Sequence, residues 1–461
     1  MKNKKKGVLA IIGFAPILSY VFISGLLTPL PKGGEYEEGV LRVWATWGDD
    51  PVHLQSLFDS YTQTTGQPIK VTTGFDSHQI EKGLSEDTPP DLVILSSNAL
   101  VSSYYEQGLI EPLDPWIETA GIDLDDTYQA ALAQCEMPDG IYTCLPWGAD
   151  VFALFWNKDL FTATGLDPEH PPQTMEEMIT YADLLTTRDE EGELIQAGFI
   201  PDFPRSYTIP YAHMFGGDLY DMNGSKPAAN SQAMIDAMTW QRKFYDILGE
   251  QEADQFVLSI NRYMKSNHPV FGGTPLNCQQ CHRSDPPGKG KNIPDHGFYD
   301  GKVAMMVSGE WQLGPDYIAH FNPDLNYGVT PLPPPANHQE QANSGFVQGS
   351  VVIIPSGGLD KASAANLLAW LMLPETVAEI STVNTSLPTS QAAALDPRFQ
   401  QIPYFQVFMD LMAGAGSSYN ISTPISLELN TALGMVEKEL LHKQGGEPAS
   451  LLGELQAEFT Q

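Results

Sequence analysis

The first ordered part of the chain alternates between a strand pattern and a helix pattern. The stretch "VLRVWATWGDD" is mostly apolar and reaches a glycine, which predicts a strand that ends at Trp47-Gly48. A helix is predicted to begin at Pro51, since apolar residues follow at the i, i+3, i+4, i+7 spacing, namely Leu54, Leu57, Phe58 and Tyr61. "PIKVTTGF" and "DLVILSSN" then predict an alternating strand and a continuous buried strand, with a helical segment between them.

The same alternation continues to the end of the chain. Strand-like stretches are "DVFALFWNKDLF", "GKVAMMVSGEW", "YGVTPLPPP" and "SVVIIPSGG", and helical stretches such as "KASAANLLAWLM" lie between them. A last helix is predicted from Thr423-Pro424 to Gly445, with one apolar face made by Leu429, Leu433, Val436 and Leu440. Alternating strands and helices with a continuous buried strand predict an α/β fold with a partly parallel sheet.

The N-terminus predicts export across a membrane. Four lysines in "MKNKKKG" precede residues 7–31, which contain no charged side chain. A basic flank before an apolar run is typical of a signal peptide or of a single anchor helix, and both interpretations stay open. We therefore expect residues 1–35 to form the signal or anchor with a linker, and the rest to lie outside the cytoplasm, in the periplasm or at the cell surface. The first cysteine is Cys135, which excludes a lipid-modified cysteine after the signal.

Composition indicates a large folded protein that does not bind nucleic acid. The 461 residues are 42% hydrophobic, enough for a sizeable core, and the length favours two lobes or domains. The formal net charge of −33 repels phosphate backbones and anionic lipids.

The four cysteines form two close pairs, and the first pair predicts a disulfide in a hairpin. In "CEMPDGIYTC" a two-residue turn at Asp139-Gly140 pairs Glu136 with Thr143 and places Cys135 opposite Cys144. Directly opposed residues at a site without ladder hydrogen bonds have Cα atoms close enough for a disulfide.

The second pair, in "CQQCHRSDPPGKGK", allows three interpretations. A local disulfide or structural loop, Cys278–Cys281, is favoured because the surroundings are polar and rich in turn residues. Covalent haem c is a second interpretation, with Cys278, Cys281 and His282 in the attachment spacing and an axial ligand from Met264, His268, Met305 or Met306. A metal site is the third, with ligands Cys278, Cys281, His282 and His296. We expect no cofactor.

Eight stretches, taken in chain order, resemble the maltose-binding type of extracellular solute-binding protein, the family 1 sugar receptors of ABC importers. They are "LRVWATWGDD", "PDLVILSSN", "LIEPLDPW", "DGIYTCLPWGADVFALFWNKDLF", "MFGGDLYD", "GKVAMMVSGEW", "LNYGVTPLPPP" and "GSVVIIPSGG". The resemblance runs from about residue 40 almost to the C-terminus, and its most specific part is the pair "NKDLF" and "GKVAMM-x-x-GEW".

The resemblance implies a two-lobed periplasmic-binding-protein-like fold of type II with an interlobe hinge. It places residues 36–149 and 335–395 in lobe 1 and residues 150–334 and 396–461 in lobe 2, with an inserted cysteine-containing loop at about 266–297. It also implies that a carbohydrate, a mono- or oligosaccharide, binds in the cleft without turnover and is delivered to membrane permease subunits of an ABC transporter.

Nine residues are candidates for this cleft. Residues that directly follow strands lie at the edge of an α/β sheet where ligands bind, which selects Trp47, Asp49, Asn98 and Trp311. Asp150 and Tyr207 match regions where the resembled proteins carry a sugar-binding acid and a stacking aromatic ring. Gln348 and Gly349 precede the strand at a lobe crossing, and Tyr404 is a further candidate. Trp156, Asn157 and Met305 also match the family, and we expect them to be structural.

A carbohydrate hydrolase is the alternative from another class. Asp49 and Asp150 would have to face each other across a glycosidic bond, about 5 to 10 Å apart. The sequence contains no G-x-S-x-G, H-E-x-x-H or P-loop motif. Binding without catalysis is therefore the favoured prediction.

Overall fold

The computed structural model describes residues 36–46, 51–203, 205–221, 226–265, 296–442 and 445–460. The strands in these ranges are β1 Leu41–Ala45, β2 Ile69–Thr73, β3 Leu92–Leu95, β4 Leu145–Asn157, β5 Thr187–Arg188, β6 Leu194–Phe199, β7 Val303–Gly309, β8 Tyr327–Pro331, β9 Phe346–Ile353 and β10 Ser418–Tyr419.

The α-helices begin with a long helix after β1 and end with two helices that pack on each other. They are α1 Pro51–Thr65, α2 Ser77–Leu84, α3 Val101–Glu106, α4 Asp114–Ala120, α5 Gln129–Ala133, α6 Lys158–Thr164, α7 Met175–Leu185, α8 Thr208–Met214, α9 Gln232–Leu248, α10 Glu250–Lys265, α11 His296–Tyr299, α12 Ile318–Phe321, α13 Lys361–Leu371, α14 Pro374–Asn384, α15 Phe405–Ala413, α16 Ser426–His442 and α17 Pro448–Phe459.

Hydrophobic patterning predicted the first strands and helices of the chain for a simple packing reason. The apolar face of α1 is buried against the sheet that contains β1, β2 and β3, called the first sheet below, as its spacing predicted. All four residues of β3 are buried, as expected for a strand covered on both faces. Strand β1 lies between β2 and β3 and is parallel to both, so the predicted partly parallel sheet is confirmed.

Helix α17 was not predicted from the sequence. Its start has Pro448 at the first helical turn, and its buried side is made by Leu452 and Leu455. These apolar residues are only three apart in a short segment, so the pattern was weaker than in α16, which precedes it. The helix packs on α16 and α9 and extends the core of the sheet that contains β6 and β7, called the second sheet below.

Strand β4 is the longest strand of the described chain, and it pairs in two sheets. Residues Leu145–Val151 pair antiparallel with β9, which also pairs with β3 of the first sheet. Residues Phe152–Asn157 instead pair with β7 on one side and β8 on the other. The continuous strand order is β2-β1-β3-β9-β4-β7-β6-β5, with β10 on β9 and β8 on β4. The change of partners falls between Val151 and Phe152.

Two glycines permit a close crossing of β4 and β9 just before this change. A Cβ atom built on Gly349 would lie 2.1 Å from the carbonyl oxygen of Gly148. The pairing register also shifts between Pro146 and Gly148. Gly349 was predicted as a ligand contact, and the structure supplies a packing reason for a glycine at this position, because any side chain would separate the two strands.

Separate cores cover the two sheets, and a third core joins them at β4. Val151 and Phe155 of β4 pack in this third core with Val377 of α14 and with Phe405 and Phe408 of α15. The change of lobe predicted at residue 395 therefore falls inside one continuous apolar cluster. In the described chain, α14 and α15 both contact β4.

The predicted pair of cysteines is joined, in a hairpin whose register differs from the prediction. Cys135 and Cys144 form a disulfide with Cα atoms 4.9 Å apart. Glu136 pairs with Tyr142 rather than Thr143, because the loop holds three residues, Pro138 to Gly140, instead of two. Gly140 has φ 83°, which is the left-handed conformation that closes a three-residue loop. The predicted two-residue turn was wrong.

His442, the last residue of α16, connects this helix to Asp202, to Asp254 of α10 and to Tyr245 of α9. Its Nε2 lies 2.7 Å from Asp202 Oδ2 and its Nδ1 lies 2.5 Å from Asp254 Oδ1. The Tyr245 hydroxyl donates to the other oxygen of Asp202 at 2.6 Å. The hydrogen bond to Asp202 and the charges of both carboxylates raise the pKa of His442 to about 9, despite its partial burial.

Replacing His442 by glutamine should lower stability most at mildly acidic pH. A histidine whose pKa is raised by folding stabilises the folded state fully below its ordinary pKa of 6.5, and this contribution is lost as the pH rises through about 9. Urea unfolding of wild type and His442→Gln across this range should show a stability difference that shrinks with rising pH. His78→Gln, an exposed histidine on α2, is the matched control. A difference that does not change with pH would contradict the charged pairing.

Candidate functional site

The change of partners in β4 brings two carboxyl side chains into contact. Asp150 lies one residue before the end of the β9 pairing and is half-buried. Glu310 directly follows β7, in the 3-10 helix Glu310–Leu313, and has no exposed surface. Its Oε2 accepts a hydrogen bond from the Val151 amide at 3.1 Å, and its carboxyl group is in hydrogen-bond contact with that of Asp150. The backbone of β4 therefore holds Glu310 beside Asp150.

Burial and mutual repulsion favour a protonated state of this carboxyl pair. Burial raises the pKa of Asp150, while the hydrogen bond with Glu310 and the charge of Arg205 act against that rise. Burial also raises the pKa of Glu310 well above its ordinary value, and the neighbouring Asp150 charge raises it further. The two carboxyls are thus unequal, with Glu310 the stronger holder of a proton.

Aromatic rings adjoin the carboxyl pair. Phe152 meets the ring of Trp311 edge-on at 6.0 Å and that of Tyr207 at 5.0 Å, measured between ring centroids. The guanidinium carbon of Arg205 lies 5.2 Å from the Trp311 ring centroid. Gly309 makes this possible, since a Cβ atom there would lie 2.0 Å from the Trp311 ring. Asp150, Arg205, Phe152, Tyr207, Glu310 and Trp311 are referred to below as the β4 cluster.

Gln348 lies next to the β4 cluster. It is the register partner of Asp150 across β9 and β4, and its side chain is half-buried. Directly opposed residues of antiparallel strands project to the same face with their Cβ atoms about 5 Å apart. The cluster thus combines an amide, carboxyls, a guanidinium and partly exposed aromatic surface. These groups can hydrogen-bond hydroxyls and cover the apolar face of a sugar ring.

Residues 56–406 match the profile of the bacterial extracellular solute-binding proteins, and this match spans about three quarters of the chain. The chain belongs to this family. Membership implies an extracytoplasmic location. None of the helices in the described ranges is both long and apolar enough to cross a membrane.

Individual relatives are distant in sequence. The sn-glycerol-3-phosphate-binding periplasmic protein UgpB of Pectobacterium atrosepticum is 24% identical over 62% of this chain and 57% of its own length. The galactooligosaccharide-binding protein of Bacillus subtilis is 24% identical over 53% of this chain and 48% of its own. The solute-binding protein thus spans about half the length of the curated relatives it matches.

Solved structures extend the similarity over nearly the whole chain. The structure "CpMnBP1 with Mannotriose Bound" superimposes with a TM-score of 0.74 and 27% identity, covering 91% of this chain and 100% of that one. The similarity confirms the predicted two-lobed α/β fold.

Asn98 has a structural role in the solute-binding protein that its sequence position did not indicate. It is buried, and its Nδ2 donates to the carbonyl oxygens of Gln134 at 2.9 Å and Asn420 at 2.6 Å. The Asn420 amide donates back to Asn98 Oδ1 at 2.8 Å. The side chain that was predicted to meet a solute therefore fastens the segment after β10 to the first sheet.

Tyr404 is not brought to the β4 cluster. Its hydroxyl donates to the Tyr327 carbonyl at 3.0 Å, and Tyr327 pairs with Asn157 at the far end of β4. Seven residues of strand separate Asn157 from Asp150, which is about 23 Å. Its prediction as a solute contact finds no support in this placement.

The remaining predictions divide between structural residues and residues outside the described ranges. Trp156 and Met305 are buried, and Asn157 caps α6 through its side chain, so their predicted structural roles are confirmed. Trp47 and Asp49 lie outside the described residues, as do Cys278, Cys281 and His282, so these predictions stay predictions. His296 begins α11. Among the described side chains, no group of three or more histidine, cysteine or acidic residues could hold a metal ion.

Three members of the β4 cluster were missed by the sequence analysis. Glu310 stands between the strand and Trp311 in "GEW", so the rule that selected residues after strands could have selected it. Arg205 in "FPRSY" is one of only 24 basic residues, which made it a notable neighbour of Tyr207. Phe152 carried no signal, because its alternation in β4 is that of any core residue.

Replacing Asn98 by alanine should lower the free energy of unfolding by about 1–3 kcal/mol, since the Gln134 and Asn420 carbonyls lose a buried donor. Chemical denaturation of Asn98→Ala, Asn420→Ala and the double variant should show non-additive losses, because the two amides bond each other. The exposed neighbour Ser96 provides the control Ser96→Ala. Unchanged stability in Asn98→Ala would contradict this structural role.

Proposed function

We propose that this solute-binding protein captures a neutral carbohydrate, a mono- or oligosaccharide, in its interlobe cleft and delivers it to the membrane permease of an ABC importer. The observation that carries the proposal is the β4 cluster, which places Trp311 and Arg205 beside a carboxyl pair at the junction of the two sheets. Aromatic faces and hydrogen-bonding groups of both kinds are what pyranose recognition requires. The similarity to a protein solved with mannotriose supports a saccharide as the solute.

The charge of the cluster argues for a neutral solute over a phosphate ester. The relative from Pectobacterium atrosepticum is described as binding sn-glycerol-3-phosphate. In this chain, the charge of Arg205 acts on Asp150, which is hydrogen-bonded to Glu310, so a dianionic phosphate would meet two carboxyl groups as well as a cation. Specificity of this kind arises from repulsion of the wrong ligand as much as from attraction of the right one.

Binding without catalysis fits the geometry of the described carboxyls. A glycosidase needs two carboxyl groups about 5 to 10 Å apart, leaving room for the bond or a water molecule. Asp150 and Glu310 are in direct hydrogen-bond contact, which is closer than either mechanism uses. The predicted partner Asp49 lies outside the described residues.

Export and delivery complete the proposal. The lysines of "MKNKKKG" and the uncharged residues 7–31 support a signal peptide or an anchor that carries the receptor out of the cytoplasm. The family's extracellular character supports a membrane permease as its partner. We retain the proposal that no cofactor takes part in capture.

A thermal-shift screen tests the class of solute. Mannobiose, mannotriose, maltotriose and a galactooligosaccharide are compared with glycerol 3-phosphate and glycerophosphocholine. A solute present at 100 times its Kd should stabilise the protein by about 2.7 kcal/mol, a readily measured shift. At least one neutral saccharide is expected to shift the transition. A shift with the phosphate esters alone would contradict the proposal.

Replacing Trp311 by alanine should weaken binding of the identified saccharide by about 2 kcal/mol, or roughly 30-fold in Kd, because a central aromatic contact is lost. Isothermal titration calorimetry gives the Kd directly. Trp116→Ala is the matched control, since Trp116 is a half-buried tryptophan that packs on the core of the first sheet. An unchanged Kd in Trp311→Ala would exclude this ring from the binding surface.

A further inference from the structure

The contact between the half-buried Asp150 and the buried Glu310 requires a proton between their carboxyl groups. One carboxyl oxygen of Glu310, Oε2, accepts a hydrogen bond from the Val151 amide. Its other oxygen, Oε1, is buried and accepts from no N–H or O–H group among the described residues. The two carboxyls nevertheless lie in hydrogen-bond contact. Two ionised carboxylates have no donor to offer each other, and their charges repel strongly in a buried site.

Three titratable groups set the charge at this point of the described structure. Asp150 comes from β4, Glu310 from the 3-10 helix after β7, and Arg205 from the segment before α8. The strand on the other side, β9, contributes the uncharged Gln348. One shared proton leaves one negative charge on the pair, which the single guanidinium balances.

We propose that Asp150 and Glu310 share one proton and act as a single monoanionic carboxyl pair, in which Glu310 is the positioning residue and Asp150 offers its free oxygen to the solute. This inference rests on the proposed function and narrows it. Because the negative charge of the pair balances the positive charge of Arg205, the site has no excess positive charge to attract an acidic ligand. The site therefore selects neutral saccharides over uronic acids and phosphorylated sugars.

The shared proton gives stability a defined dependence on pH. In the unfolded chain, Glu310 loses its proton near its ordinary pKa of 4.5, whereas the folded protein keeps it to a higher pH. Between those values the folded state binds more protons, so the free energy of unfolding falls as the pH rises. Glutamine at this position donates to Asp150 as a protonated glutamate does, and it does not titrate.

The test compares Glu310→Gln, Asp150→Asn and wild type by denaturation without solute and by calorimetry with the saccharide found in the screen, with mannotriose as the first probe. Relative to wild type, Glu310→Gln should gain stability progressively as the pH rises above 4.5. It should keep its Kd within about threefold, while Asp150→Asn should bind at least about tenfold more weakly, since it loses the charged acceptor. Glu454→Gln, the same change at an exposed position of α17, should show no pH-dependent difference.

An infrared difference spectrum provides a second measurement that does not depend on solute. Wild type minus Glu310→Gln at neutral pH should contain the carbonyl stretch of one protonated carboxylic acid. If Glu310→Gln does not fold, wild type minus Asp150→Asn should show that stretch perturbed, because its hydrogen-bond partner has changed.

The possible outcomes separate the two proposals. The shared proton is overturned if the stability difference between wild type and Glu310→Gln does not change with pH. It is also overturned if the difference spectrum of these two proteins lacks the band of a protonated carboxylic acid. Equal loss of binding in Glu310→Gln and Asp150→Asn overturns the positioning role, because Glu310 would then contact the solute itself. If the stability difference depends on pH and the protonated band is present, but no saccharide binds, the shared proton is supported and only the proposed function is overturned.

Discussion

The hydrogen bonding of β4 in two sheets is the constraint on which the rest of the structure depends. Its first half completes the sheet of β1, β2 and β3 through β9, and its second half is the centre of the sheet that contains β7 and β8. Because the register of one half fixes that of the other, the junction of the two sheets is defined to a single residue step. The carboxyl pair is built at that step, with the Val151 amide as its anchor. The same strand therefore fixes both the junction and the site.

The site also explains how an acidic protein can hold buried acids beside a ligand surface. A net charge of −33 makes every further buried negative charge costly. The cluster limits that cost with a backbone donor, a mutual hydrogen bond and a guanidinium stacked on Trp311. Tyr207 and Phe152 are buried and pack on each other, and Phe152 also contacts Trp311, so the inner side of this arrangement is set by the core. Such preorganisation is typical of sites that bind a small polar ligand.

Apolar patterns predicted the main strands and several of the helices, because they record directly which side of an element faces the core. The strand ends that these patterns predicted led to Trp311, whereas Asp150 and Gln348 came from the family resemblance, and Asp150 and Gln348 are register partners close to Trp311. The sequence pattern could not distinguish a polar residue that contacts a solute from one that hydrogen-bonds to a distant loop. Asn98 meets a partner 322 residues away, and nothing local in the sequence records that contact. The position of Glu310 directly after a strand could have selected it, but its burial beside Asp150 depends on tertiary packing that the sequence does not record. The hairpin register differed by one residue because the turn chemistry of Asp-Gly suits loops of two residues or three.

The late position of β9 in the sequence has a consequence for how the chain assembles. Val351 and Ile353 pair with Leu95 and Val93, more than 250 residues earlier in the chain. Until those residues are available, β3 and the first half of β4 present unpaired edges, which are prone to join other chains. Non-local pairing of this kind also slows folding. A chain threaded through a membrane from its N-terminus would thus have to keep its leading half open for most of its passage, and only the arrival of β9 would join β3 to β4.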